Sequence, residues 1–298
     1  MTPQSEKLLS ELRDKNPDIR YAAWVRAAQA DPEIIPELGK LLVADQPGVR
    51  KASDEALKKI VHSVGKEPGG ERRAAVVKEL LALTEPGRPK WVRTVALRHL
   101  SEVGGNETVT VVAKVLREPE MQEEAVFCIE RIPGPAADSA LIAAAGDVND
   151  NFKPRILAAL GHRRTAAAAP LCAAAMSSSN VEIGMAAMKA LGRIGSDPGQ
   201  RPTPPEFDSL SAFQKIEFAD SLLRYADAMA AEGRAEAAIR LYRIAFDRPE
   251  EHLQCAAIVG LGKVRTAQAR ELVDSKRTSS QRNVRITAER VLAAMPKS

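Results

Sequence analysis

The sequence predicts an all-α protein, an α-solenoid of about eight or nine helical pairs wound right-handed. Three observations predict it. One pattern, apolar at position 0, small at 4 and apolar at 8 and 11, recurs eight times along the 298 residues. A second amphipathic segment with Pro, Gly or Asp turns lies between successive copies. No strand-like alternation of period two competes with either.

Position 0 falls at Ile19, Val49, Val92, Met121, Phe152, Ile183, Leu253 and Val284. Position 4 holds Ala23, Ser53, Ala96, Ala125, Ile156, Ala187, Ala257 and Ala288. Position 8 holds Ala27, Leu57, Leu100, Ile129, Leu160, Leu191, Leu261 and Leu292. Offsets of 0, 4, 8 and 11 share one helical face, and a small residue at 4 lets a neighbouring helix approach. The spacings are 30, 43, 29, 31, 31, 70 and 31 residues; the 43 contains an insertion around "GKEPGGERR", and the 70 leaves room for one more unit. The second helices are read from "EIIPELGKLLVA", "TVTVVAKVLRE", "DSALIAAAGDV", "APLCAAAMS" and "AQARELVDSK". Neither helix of a pair can bury its apolar face alone, whereas a stack of pairs can.

The long gap holds "LLRYADAMAAEGRAEAAIRLYRIAFDRPEE", read as a helical hairpin behind the break "GSDPGQRPTPPEF". The break is the expected hinge. This gives a repeat array over 1–195, a Pro/Gly-rich linker over 196–207, the hairpin over 208–249 and further repeats with a basic end over 250–298.

Two resemblances follow. The "VR" opening (Val49-Arg50, Val92-Arg93, Val284-Arg285) and the "ALGRIG" or "GLGKV" closing (Ala190 to Gly195, Gly260 to Val264) resemble short bacterial HEAT repeats, of the kind also found in phycobilin-lyase-like proteins. That resemblance covers most of the chain and implies a HEAT-like superhelix; it says little about function, because such repeats serve many roles. In the hairpin, Leu222, Tyr225, Ala226, Met229, Gly233, Ala238, Tyr242 and Ala245 sit near the signature spacing of a tetratricopeptide repeat, with Pro249 one residue early.

Composition bounds the chemistry. Aromatic residues make up only 4%, so the core is aliphatic. Cys128, Cys172 and Cys255 are isolated and odd in number and form no CxxC, which indicates neither a disulfide framework nor a zinc knuckle and points to buried thiols in a reducing compartment. No signal-peptide pattern opens the sequence. The longest apolar stretch, Ala166 to Met176, is too short to span a bilayer. The expected location is the cytoplasm, with no membrane partner. From Lys263 to Ser298 there are nine Lys/Arg against three Asp/Glu, a basic end that suits an acidic partner, nucleic acid included, or a solvated end cap.

Four groups of residues are candidates for contact or chemistry. Position 1 is basic in five of eight copies (Arg20, Arg50, Arg93, Lys153 and Arg285). A cation at a helix N-terminus opposes the macrodipole by about 0.3–1 kcal/mol, so a nearby acid such as Asp18 or Asp45 should offset it. The HEAT resemblance implies an Arg/Asp ladder tying units together. Position 10 gives a basic rim, Lys59, Arg131, Arg193 and Lys263, that either steadies helix C-termini or tracks phosphates and acidic protein. Positions 2 and 6 should point outward, and with Trp91 they supply a partner-binding set: Tyr21, Trp91, Arg98, Phe127, Met185 and Lys189. Val25, Thr94, Val259, Ile286 and Arg290 share those positions. A rotated frame that puts some of them in the core is the alternative. Finally, Arg163 breaks position 11 inside "GHRRT"; Gly161 should end that helix early and Thr165 should cap the next, leaving His162, Arg163 and Arg164 in an exposed turn.

No catalytic, metal or cofactor motif is present. His62, His99, His162 and His252 lack a spacing such as HExxH, and there is no Gly-rich phosphate loop or GxSxG elbow. His99 holds position 7 and should sit wedged at a helix contact. The expected function is non-catalytic protein–protein binding through the concave face, as a scaffold or assembly factor. The runner-up is sequence-independent nucleic-acid binding along the basic rim and end. The HEAT resemblance also implies two remoter roles, a DNA glycosylase acting on alkylated bases and a chromophore lyase. For the glycosylase the best pair is Trp24 and Asp54, which share position 5 and would stand about 10 Å apart on neighbouring helices.

Overall fold

The computed structural model describes residues 2–65, 69–199 and 207–295. These residues form helices joined by short turns, with no strand among them. Two compact units divide the chain, Met1–Asp147 and Val148–Ser298.

The first unit contains α1 (Pro3–Leu12), α2 (Pro17–Val25), α3 (Ile35–Leu41), α4 (Pro47–Gly65), α5 (Glu71–Ala82), α6 (Lys90–Val103), α7 (Asn106–Val115), α8 (Gln122–Arg131) and α9 (Pro135–Asp147). The starts follow local chemistry. Thr2 and Asn16 cap α1 and α2 with side-chain oxygens, each followed by Pro at the first helical position, where its missing N–H costs nothing. The frame helices α2, α4, α6 and α8 lie side by side in one layer, and α3, α5, α7 and α9 form the second.

The second unit contains α10 (Lys153–His162), α11 (Ala169–Ala175), α12 (Val181–Ile194), α13 (Ala212–Ala231), α14 (Ala235–Phe246), α15 (Glu251–Val264), α16 (Ala267–Ser275) and α17 (Arg282–Ala294). Here α10 packs on α12, α12 on α13, α13 on α15 and α15 on α17. The hairpin therefore enters in reverse order: α13 joins the frame-helix layer directly after α12, and α14 packs behind α13 and α15. Both described ends of the connection lie against α14 or its end, through Asp197–Arg240 at 2.6 Å and Asp208–Arg248 at 3.1 Å. The expected hinge at 196–207 thus falls inside the second unit. Its residues 200–206 lie outside the described residues, as do 66–68 of the insertion and 296–298 of the basic end.

The repeat frame reads directly as burial. All eight side chains at position 4 are fully buried. Position 8 is fully buried in seven copies, and only Leu292 in the last copy is half-buried. At position 0 only Ile19, in the first copy, is exposed, and Phe152 is half-buried. Each fully buried Leu or Ile contributes about 1.5–3 kcal/mol relative to exposure. In the hairpin Leu222, Tyr225, Ala226, Met229, Ala238, Tyr242 and Ala245 are buried, and Gly233 makes the turn at φ +73°.

The "GHRRT" turn differs from expectation. Gly161 does not end α10; the helix continues to His162. The glycine is there for packing, since a Cβ on it would stand 2.8 Å from the Ala190 Cα of α12. The stop is made by Arg164 in the left-handed region at φ +53°, with the Thr165 N–H donating back to the Leu160 carbonyl at 3.0 Å. Thr165 is buried and its side chain does not cap the following turn. His162 and Arg164 are exposed, while Arg163 is half-buried.

Candidate functional site

The position-1 row is engaged within the chain. Its side chains reach back to the carbonyls that end the preceding helix. Arg20 Nη1 donates to the Asp14 carbonyl at 2.6 Å, Arg50 Nη1 to Ala44 at 2.8 Å and Arg285 Nη1 to Ser279 at 2.7 Å. Gln122 and Gln254 make the same link, to Leu116 at 3.0 Å and Arg248 at 2.7 Å. In all five the acceptor lies six residues back. The expected counter-ions, the carboxylates of Asp18 and Asp45, are not the partners; Asp45 contributes its carbonyl, 3.2 Å from Arg50. Orphan carbonyls carry the negative end of the preceding helix's dipole, so they offset the cation in place of an acid. Lys153 departs from the row and pairs with Asp150 at 3.2 Å.

What remains for a partner is the outward face of the frame helices. In the first unit, Tyr21 is 60% exposed and Trp91 49%; Val25 and Arg98 are exposed and Phe127 half-exposed. Each exposed or half-exposed ring on this face meets another ring or a cation. Tyr21 stands edge-on to Trp24 with centroids 4.9 Å apart, and Lys59 Nζ lies 5.6 Å from the Trp24 centroid. Arg98 lies 5.9 Å from the Trp91 centroid and Arg131 3.5 Å from that of Phe127. These are cation–π distances. Two members of the expected rim, Lys59 and Arg131, are thus held by aromatic neighbours. Trp91 joins the face because seven residues separate it from Arg98, nearly two turns.

Outward pointing fails at two positions. Met185 is only 8% exposed and Thr94 is buried. The cause is the next frame helix. Lys189, one turn beyond Met185 on the same stripe, pairs with Glu217 of α13 at 3.1 Å. Thr94 donates to Glu124 of α8 at 3.4 Å. Met185 is therefore a packing residue rather than a partner contact.

In the second unit the same face carries a groove over α12, α13, α15 and α17. It consists of two adjoining depressions of about 580 and 320 Å³ that share Asp227. Asp227 accepts from the Tyr242 hydroxyl and from Lys263 Nζ, both at 2.7 Å. Burial, then the Asp227 carboxylate, pushes the Tyr242 phenol upward, so it stays a donor. Asp220 accepts from Arg224 Nε through both oxygens, at 2.9 and 2.7 Å. Arg193 and Arg290 are exposed on opposite sides of the groove, with no hydrogen bond or ion pair among the described residues. Much of the basic end is occupied internally. Lys276 donates to the Phe246 carbonyl at 3.2 Å and to Gln254 at 2.9 Å, Arg270 reaches the Leu292 carbonyl at 3.4 Å and Arg277 pairs with Asp274.

The reactive side chains are quiet. Burial pushes the Cys128 thiol up to about 12 and that of Cys172 up to about 11, far from thiolate chemistry at neutral pH. His99 is buried with neither ring nitrogen hydrogen-bonded, and desolvation pulls it down to about 4. Asp54 is paired with Lys58 at 2.8 Å in its own helix, and Trp24 is engaged by Tyr21 and Lys59. Among the described residues no group of His, Cys, Asp and Glu could hold a metal ion, and no helix is long and apolar enough to cross a membrane.

No family model matches the chain, and no curated protein matches it in sequence. Solved structures do match. Kap95p, from a complex with RanGDP, aligns over 96% of this chain and 43% of its own at 11% identity and a TM-score of 0.52. The karyopherin Kap121p aligns over 98% and 42% at 10% identity and a TM-score of 0.50. Both are HEAT-repeat solenoids, and this chain spans about two fifths of their length. A chain of the CpcE–CpcF phycocyanin lyase complex from Nostoc sp. PCC7120 aligns over 90% and 96% at 16% identity, but its TM-score of 0.37 supports no conclusion. The likeness to the karyopherins shows the fold, an all-α solenoid of stacked helical pairs.

Proposed function

We propose that the chain is a non-catalytic protein-interaction scaffold that engages its partner through the outward face of the frame helices. The observation that supports this most is the row of Tyr21, Val25, Trp91 and Phe127 on the first unit, with Arg98 and Arg131 beside the rings. Large apolar side chains grouped at a surface are the usual mark of a contact site, and Tyr, Trp and Arg are the residue types that dominate binding energy. Aromatic residues make up only 4% of the chain, fewer than base-stacking surfaces use, which favours protein over nucleic acid. The paired state of Asp54 and the buried thiols fit a role without chemistry. We also infer kinship with the HEAT repeats, carried by the "VR" openings and the "ALGRIG" closing, and a reducing, cytoplasmic setting that suits three free cysteines.

The test is a pull-down from lysate of the source organism, with and without nuclease. It compares the wild type with the triple variant Tyr21→Ala, Trp91→Ala, Phe127→Ala, whose helicity is checked first. A retained protein that survives nuclease and is lost with the variant is the expected result. Retention of nucleic acid instead, or equal retention by both chains, overturns the reading.

A further inference from the structure

We infer that the groove over α12, α13, α15 and α17 holds an extended acidic segment of a partner protein. This rests on the protein-binding reading above and names the chemistry of one segment of the partner.

Charge carries the argument. The carboxylates that line or border the groove are answered within the chain: Asp227 by Tyr242 and Lys263, Asp220 by Arg224 and Glu217 by Lys189. Arg193 and Arg290 are the exposed lining cations left without such a partner among the described residues. The wider field has the same sign. Residues 148–298 hold 22 Lys/Arg against 16 Asp/Glu, whereas residues 1–147 hold 21 against 23. A guanidinium presents a planar fork that matches a carboxylate with two parallel hydrogen bonds, and arginine clusters are a recurrent reader of acidic motifs.

Geometry sets the length. Arg193 stands on α12 and Arg290 on α17, with α13 and α15 between them. Three helix-to-helix steps of 8–10 Å give about 24–30 Å, which an extended chain at 3.3–3.6 Å per residue covers in about eight residues. Between the guanidiniums the lining includes Leu223, Ala256 and a 40%-exposed Val259, so small apolar side chains suit the middle of the segment and acidic ones its ends. A nucleic-acid strand fits less well. The two tyrosines that line the groove, Tyr225 and Tyr242, are buried and offer no face for a base, and a strand with a phosphate at every step would lay charge along the apolar middle as well as at the two guanidiniums.

The probe is a fluorescein-labelled decapeptide with three glutamates at each end and Ala-Leu-Ala-Leu between, titrated by fluorescence anisotropy. The same peptide with lysine for glutamate and a ten-nucleotide thymidine strand serve as comparisons. The expected result is saturable binding of the acidic peptide alone, weakened at least about tenfold in the double variant Arg193→Glu, Arg290→Glu. Arg243→Glu, an exposed charge reversal on α14 in the other layer, should leave it within about twofold. The inference is overturned by no binding of the acidic peptide, by equal loss with Arg243→Glu, or by equal or tighter binding of the thymidine strand. A negative peptide result with the Tyr21, Trp91 and Phe127 pull-down intact removes the acidic segment alone and leaves the scaffold reading standing.

Discussion

Arg93 and Glu118 form an ion pair of 2.6 Å in which the arginine is only 5% exposed. Arg93 Nε also donates to the Thr84 carbonyl at 2.9 Å. One side chain therefore links the end of α5, the start of α6 and the turn before α8. A guanidinium so buried is stabilising only while it is answered. Glu118→Ala is expected to cost about 2 kcal/mol, because it leaves that charge unpaired in a low-dielectric setting. Adding Arg93→Met should recover at least about 1 kcal/mol of the loss, so the two changes are not additive. Urea denaturation of the two single variants and the double variant measures this, and strict additivity would contradict the tie.

At five other position-1 sites, Arg20, Arg50, Gln122, Gln254 and Arg285, the link is a hydrogen bond to a carbonyl, which a neutral donor serves as well. Gln122 and Gln254 already occupy the same place. Arg50→Gln is therefore expected to change stability by less than about 0.5 kcal/mol, whereas Arg50→Ala should cost about 1 kcal/mol. If the arginines worked as an ion-pair ladder, glutamine would be as harmful as alanine. Thermal melts of both variants separate the two accounts.

The contrast shows what the sequence made legible. The fold was readable because one helical period and one set of small residues recur, and every side chain at position 4 is buried as that pattern requires. Gln122 and Gln254 also stand at position 1, and a count of basic residues passes over them; a side-chain donor common to Arg and Gln is the signal. Met185 was misplaced because a periodic pattern specifies which side faces the paired helix, not how far the next frame helix overlaps it. The reversed entry of α13 was not legible, since both orders bury the same stripe. Of the candidate site, the exposed side chains of Tyr21 and Arg98 follow from the frame, whereas Trp91 precedes it and is placed on the face only by its seven-residue distance from Arg98. The groove around Asp227 does not follow from the frame, because it needs α13 beside α12.

Gly161 sits where two frame helices nearly touch. Gly→Ala inside a helix ordinarily stabilises by about 0.5–1 kcal/mol. At Gly161 the sign should reverse, because the new Cβ would stand 2.8 Å from the Ala190 Cα, a backbone atom that cannot swing away. A cost of about 1–3 kcal/mol is expected for Gly161→Ala. Gly146 in α9 has nothing within 4 Å of its would-be Cβ, so Gly146→Ala should show the ordinary gain. Denaturant midpoints of the two variants, measured side by side, check both signs, and a stabilised Gly161→Ala variant would show that α10 and α12 are less closely packed.

His99 gives the chain a pH dependence with a definite direction. Burial disfavours the imidazolium and holds the group near 4; Asp54 opposes this, while Lys58 and His62 reinforce it. Neither ring nitrogen has a hydrogen-bond partner that would reward protonation. An unfolded histidine takes up its proton near pH 6.5. Between these two values the unfolded chain binds a proton that the folded chain refuses, so stability is present above about 6.5 and falls as the pH drops toward 4. Between pH 7 and pH 5 the linkage amounts to about 2 kcal/mol. His99→Leu keeps a buried apolar body of similar size and removes the titration. The variant should therefore lose less stability than the wild type over that interval, whatever its starting value. Urea unfolding of both chains at pH 7 and pH 5 measures the difference, and equal losses would mean that His99 is protonated in the folded state.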